Sequence, residues 1–132
     1  MTEKVVKSDK EWKELLAPSH YKVCRKKITE RPFSGKYHDF NEKGVYFCSC
    51  CGNELFGSET KFDSGSGWPN FWDPIDVNSI DVIPDITLGI ERTEVLCNTC
   101  GAHLGHVFDG GPHPTKKRYC INSTSLDFKN AK

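Results

Sequence analysis

Four cysteines in two matched pairs, Cys48/Cys51 and Cys97/Cys100, constrain this chain more than any other feature. In a C-x-x-C, two thiolates of one tight turn reach the same ion. Two such turns supply four sulfur ligands, the closed tetrahedral shell of structural Zn²⁺. One C-x-x-C alone is equally a redox dithiol, whereas a matched pair is far more specific. From Cys51 to Cys97 is 46 positions, well beyond a simple zinc ribbon, so the metal ties together distant segments of one domain. Gly52 and Gly101 follow the second cysteine of each turn, where they ease a sharp reversal of the backbone. The competing reading, four buried and unliganded cysteines, requires the two matched pairs to be an accident.

The chain of 132 residues suits one domain with a single core, spanning 1–132. Its 18 basic and 18 acidic residues balance, so no strong field draws nucleic acid or a membrane. There is no apolar run long enough to span a bilayer, and the start, MTEKVVKSDKEWKE, has no signal core. These features predict a cytoplasmic protein whose thiols stay reduced, which favours metal over disulfides. Setting the four paired cysteines aside leaves Cys24, Cys50 and Cys120. An odd remainder raises the question of a reactive thiol.

Residues 8–16 read as a helix opened by a Ser8/Glu11 capping box, with Trp12, Leu15 and Leu16 on one face. Pro18 begins a second short helix through about Arg25, with Val23 as its core anchor. The basic stretch from Lys26 to Tyr37 reads as an arm wrapped on the body, with Phe33 and Tyr37 to bury. From Gly44 the pattern turns β, with strands expected at Val45–Cys48, Ile80–Ile83, Thr87–Leu96, Gly105–Phe108, Arg118–Asn122 and Ser125–Phe128. No useful helical periodicity follows. The expected architecture is mainly β: a helical N-terminal arm (about 1–40) on a zinc-clamped, mostly antiparallel β body (about 41–128).

Three stretches carry chemistry. In RYCINS, strand alternation puts Arg118, Cys120 and Asn122 on one side and Tyr119 and Ile121 on the other. A guanidinium beside a thiol favours the nucleophilic thiolate; the competing reading is an inert cysteine on an edge strand. In CGAHLGHVF, His103 and His106 follow a metal turn directly, as a polar pocket wall able to move a proton or polarise an oxygen, or as spare ligands. In FDSGSGWPNFW, Gly65 and Gly67 permit a tight loop presenting Trp68, which either lines a pocket or plugs the core with Trp72. Phosphate-loop, H-E-x-x-H and zinc-deaminase signatures are all missing, which argues against a hydrolytic zinc. Cys50 reads as a spectator between ligands.

Together TERPFSGKY, the two C-x-x-C turns, KFDSGSGWPNF, CGAHLGHVFDGGP and RYCINSTSL resemble the methionine-R-sulfoxide reductases, over nearly the whole chain. The resemblance implies two antiparallel sheets with small N-terminal helices and one structural zinc on Cys48, Cys51, Cys97 and Cys100. It implies Cys120 as the nucleophile and Trp68 as the holder of the substrate methyl group. His103, His106 and Asn122 would line the sulfoxide site, and Arg118 would keep Cys120 ionised. The implied partners are oxidised proteins or peptides and a thioredoxin-like reductant, with a monomeric enzyme. Many members carry a second, recycling cysteine in the SGxGWP loop, where this chain has Ser66. Cys24 on the arm is the expected substitute; Cys50 or an external thiol are the alternatives. Readings from other classes are a zinc-scaffolded protein- or nucleic-acid-binding module and a thiol redox sensor without turnover.

Overall fold

A computed structural model of the chain describes residues 5–38, 40–63, 65–86 and 92–130. Helix α1 (Asp9–Leu15) starts where expected: Glu11 N–H donates to Ser8 Oγ at 3.2 Å, and Ser8 N–H donates to the Glu11 carboxylate at 3.0 Å. Its second turn ends early. Leu16 is already extended, so it swings toward the core while Leu15, expected beside Trp12, is left 64% exposed. Helix α2 (Pro18–Lys26) begins on its proline and buries Val23 and Cys24.

The body is two antiparallel sheets. The first has the order β2-β1-β9, from β1 (Gly44–Cys48), β2 (Glu54–Gly57) and β9 (Leu126–Asn130). The second has the order β3-β4-β8-β7-β6-β5. It comprises β3 (Lys61–Phe62), β4 (Asn70–Phe71), β5 (Ile80–Asp85), β6 (Arg92–Cys97), β7 (His103–Asp109) and β8 (Lys117–Ile121). The strand expected at Thr87–Leu96 is found from Arg92; its first residues, 87–91, lie outside the described residues. Strands β2, β3 and β4 carry too few residues for a period of two to show. In β2, Leu55 and Phe56 are both fully buried, which erases the alternation. Among the described residues, only two single 3₁₀ turns interrupt the β pattern after residue 44.

The sheets meet through aromatic side chains. Phe56 of β2 stacks on Phe71 of β4 at 4.4 Å, and Tyr46 of β1 meets the same Phe71 edge-on at 5.1 Å. All three are fully buried, each worth roughly 1.5–3 kcal/mol of transfer free energy at most. Tyr37 of the arm adds to this cluster, 5.4 Å from Tyr46. Phe33 does not: it is 63% exposed, and the arm is held there by its backbone, Phe33 N–H donating to Gly67 O at 2.7 Å. Phe71 pairs with Tyr119, and both turn toward the core. The next residue along each strand, Asn70 and Cys120, therefore shares the opposite face. That face is where the arm and the 65–68 loop lie.

Candidate functional site

The metal-binding half of the expected site is assembled. Cys48 ends β1 and Cys97 ends β6; Cys51 and Cys100 sit in the turns that follow. The two turns match bond for bond: Gly52 N–H donates to Cys48 O, and Gly101 N–H to Cys97 O, both at 2.8 Å. Both glycines need positive φ, +81° and +77°. The four sulfurs lie within 4.8 Å of one another, with Cys48–Cys100 at 3.7 Å and Cys51–Cys97 at 3.6 Å. A tetrahedron of thiolates around an ion at about 2.3 Å has edges of about 3.8 Å, so the donor set fits a tetrahedral metal. Arg25 donates to Cys100 Sγ at 3.0 Å and to Cys100 O at 3.0 Å while lying 3.9 Å over the Trp12 ring. Asn53 Nδ2 adds a longer contact to Cys97 Sγ, 3.8 Å. Such outer donors orient and stabilise ligating thiolates.

On the outer face of the second sheet, cross-strand pairing sets a row of side chains. Glu94 of β6 faces His106 of β7, His106 faces Cys120 of β8, and Cys120 faces Asn70 of β4. Phe108 and Arg118 form the next row, with the guanidinium 4.7 Å over the ring. His106, Cys120, Phe108 and Arg118 of these rows, with Thr29 of the arm, Ser66 and Trp68 of the loop, Arg92, Gly105 and Asn122, line a cavity of about 280 Å³. That lies near the low end for small-molecule sites, about 300–1,000 Å³, and suits a side chain better than a large cofactor. Gly105 is required by the approach of β8: a Cβ there would sit 2.0 Å from Cys120 O.

Of the residues expected from sequence, the cavity brings together Cys120, His106, Asn122, Arg118 and Trp68. His103 is not in its wall. It is buried behind, its ring centre 5.6 Å from that of His106 and its Nδ1 2.7 Å from the Glu94 carboxylate. Both histidines nevertheless lie on one side of β7. In a regular strand, residues three apart point to opposite faces. Here the register passes from Val95/Gly105 to Leu96/His103, and the extra residue, Leu104, turns into the core. Burial pushes the His103 imidazole below its usual range, against the pull of Glu94. His106 Nε2 is held by Asp85 Oδ2 at 2.8 Å, which also receives Arg92 at 3.3 Å.

Cys120 is half-buried. Burial pushes its thiol above the ordinary range; Ser66 and then Arg118 act in the opposite direction, and Glu30 adds to the rise. Arg118 and Ser66 thus pull toward the thiolate as expected, while desolvation of the half-buried thiol is the larger influence in the free protein. Ser66 Oγ lies 4.0 Å from Cys120 Sγ. Cys24 shares no wall with it: it is 2% exposed, lies against the Cys50 thiol, and is 3.8 and 3.7 Å from the hydroxyls of Ser49 and Ser125. The two spare cysteines thus sit together near the metal ligands. Residues the sequence reading did not assign are Thr29, Asp85, Arg92 and Phe108. Phe108 was accessible by alternation from His106; Asp85 and Arg92 pair across the β5–β6 hairpin beside it, and Thr29 comes from the arm.

The SelR domain profile matches residues 16–130. A protein named peptide methionine sulfoxide reductase MsrB from Hahella chejuensis is 56% identical over 129 residues, covering 98% of this chain and 93% of its own length. Proteins of the same name from Methanosarcina barkeri and Pseudomonas savastanoi pv. phaseolicola are each 55% identical. They cover 98% and 95% of this chain and 92% and 95% of their own lengths, respectively. A match of this extent, on a fold of two antiparallel sheets with a four-cysteine cluster and a half-buried thiol in a cavity, establishes that the chain belongs to the SelR-domain family of methionine-R-sulfoxide reductases.

Proposed function

We propose that this protein reduces methionine-R-sulfoxide in proteins and peptides to methionine, with Cys120 as the nucleophile. The observation that carries this reading is the cavity itself, which joins a thiol, an indole ring, an imidazole and a primary amide around space for one side chain. Trp68 takes the substrate methyl group against its ring. Asn122 offers an amide N–H and His106 a proton to the sulfoxide oxygen, as general acid. The Cys120 thiolate supplies two electrons, oxygen passes to its sulfur, methionine leaves, and Cys120 is left as a sulfenic acid. His103 supports the His106 ring from behind. In an assay driven by dithiothreitol, a peptide with the R sulfoxide is expected to be reduced and its S epimer left intact; equal rates on both epimers would rule the reading out.

Two external thiols complete the cycle. The first condenses with the sulfenic acid, releasing water and forming a mixed disulfide; the second displaces it, returning the Cys120 thiol and an external disulfide. A thioredoxin-like dithiol is the donor class that does both steps, and the reducing cytoplasm is the setting that supplies it. The place of Cys24 supports this route over the internal one: it is 2% exposed, packed beside Ser49, Ser125 and Cys50, and it is not among the residues lining the cavity that holds Cys120. With sulfoxide added and no donor, mass spectrometry should find Cys120 as sulfenic acid and Cys24 as free thiol. A Cys24–Cys120 disulfide would refute it.

Arg118 has a second measurable role. Its charge opposes the upward push of burial on Cys120, so Arg118→Ala should move the alkylation profile of Cys120 to higher pH. Superimposable profiles would remove Arg118 from the list of groups acting on the thiol. The ion we assign to the four-cysteine cluster is Zn²⁺, which takes four thiolates in a closed tetrahedron and has no redox chemistry of its own. It holds structure and takes no part in the reaction. The working unit is a monomer, with both cavity and metal cluster built from one chain.

A further inference from the structure

Glu30 touches two residues of the cavity wall through its backbone and is anchored beside them through its side chain. Its backbone N–H donates to Asn122 Oδ1 at 3.1 Å. Its carbonyl accepts the indole N–H of Trp68 at 3.0 Å. Its carboxylate Oε1 accepts both the backbone N–H and the hydroxyl of Thr124, at 2.8 and 2.9 Å. The second oxygen, Oε2, is buried with no hydrogen-bond partner among the described residues. The arm folds so closely over it that a Cβ on Gly35 would lie 2.3 Å away. Desolvating that oxygen is unfavourable, and the charge-assisted bonds from Thr124 offset it.

Each bond fixes something the reaction needs. An indole has a single donor, and that of Trp68 is used on Glu30, which sets the orientation of the ring. Asn122 Nδ2 donates to Leu104 O at 3.1 Å. With Oδ1 held by Glu30, the amide has one orientation, and among the described residues its second N–H has no protein partner, which leaves it for a ligand. We propose that Glu30 is a positioning residue: anchored through its carboxylate to Thr124, it holds its own peptide group so that Trp68 and Asn122 stand at the separation one sulfoxide side chain requires. The claim rests on the reading of this cavity as the sulfoxide site. It is independent of the charge that Glu30 adds beside Cys120, because the glutamine variant separates the two. Glu30→Gln removes the charge and should move Cys120 alkylation to lower pH, yet it keeps an oxygen for Thr124.

The test uses the full-length, metal-loaded protein with Glu30→Ala and Glu30→Gln. An R-sulfoxide peptide serves as substrate, and the Trp68 indole proton is followed by hydrogen exchange, its resonance assigned with Trp68→Phe. Glu30→Ala should lower kcat/KM by roughly 30- to 100-fold, as expected for a misplaced reacting group. Its Trp68 indole proton should exchange at least about tenfold faster, as a lost hydrogen bond allows. Glu30→Gln should restore most of both. Wild-type kcat/KM or wild-type exchange in Glu30→Ala overturns the proposal, as does a glutamine variant as impaired as the alanine one. If Glu30→Ala does not fold, Thr124→Val carries the test, with a smaller fall of roughly 3- to 10-fold from one lost bond; unchanged kcat/KM or exchange in it is equally fatal. Should the wild type itself ignore sulfoxide, the functional reading fails, while the exchange comparison still decides whether Glu30 holds Trp68.

Discussion

Cys120→Ser should abolish sulfoxide reduction, with a fall on the order of 10⁴-fold or more, as for the removal of a reacting nucleophile. A hydroxyl has neither the nucleophilicity of the thiolate nor a path to a sulfenic acid, so no residual route through this side chain exists. The fold should hardly notice. Cys120 is half-buried on the cavity face, away from the aromatic core, and the isosteric change should alter stability by about 1 kcal/mol or less. The informative measurement pairs single-turnover reduction of an R-sulfoxide peptide with denaturant unfolding of the same sample. Turnover by a properly folded Cys120→Ser protein would eliminate Cys120 as nucleophile. A wild type that turns over sulfoxide and a Cys120→Ser protein that does not mark an enzyme, whereas a plain binding module would bind the peptide equally in both and turn over in neither.

Loss of the metal should have the opposite signature: collapse of the fold first, with activity following. The cluster ties the β1–β2 turn of one sheet to the β6–β7 turn of the other, and Cys48 and Cys97 are at most 1% exposed. Structural zinc sites release about 10–16 kcal/mol on binding, as large as the whole stability of an ordinary domain, about 5–15 kcal/mol. The apo chain is therefore expected to be unfolded or nearly so. Arg25 links this knot to the helical arm through Cys100 and Trp12, so the helices should be lost together with the sheets. Circular dichroism during chelation, with released metal measured in parallel, checks this. An apo protein that melts cooperatively at the temperature of the loaded one would show that the cluster does not hold the fold.

How much of this was legible beforehand varied with the range of the interaction. The capping box at Ser8 and Glu11, the proline start of α2 and the glycines at 52 and 101 depend on neighbours a few residues apart, and all are found as expected. Leu15 and Phe33 were read as buried because they are apolar, yet both are exposed, since helix length and the path of the arm decided their fate. Strands β3 and β4 have two residues each and exist through pairing with partners far along the chain.

The sequence by itself determined which four cysteines come together as a possible metal cluster, and the alternation that separates Cys120 from the core residues Tyr119 and Ile121. Ligand spacing and strand period are local geometry, and local geometry is written in consecutive residues. Only the tertiary structure decided which histidine reaches the cavity, where a bulge at Leu104 turns His103 and His106 to one side and burial then sets one behind the other. It also decided that Cys24 lies near the metal ligands, and that burial outweighs Arg118 at the Cys120 thiol. The bulge is set by pairing across the β6–β7 hairpin and the desolvation by the arm and loop that pack over the cavity, and neither is written in the residues that carry the chemistry.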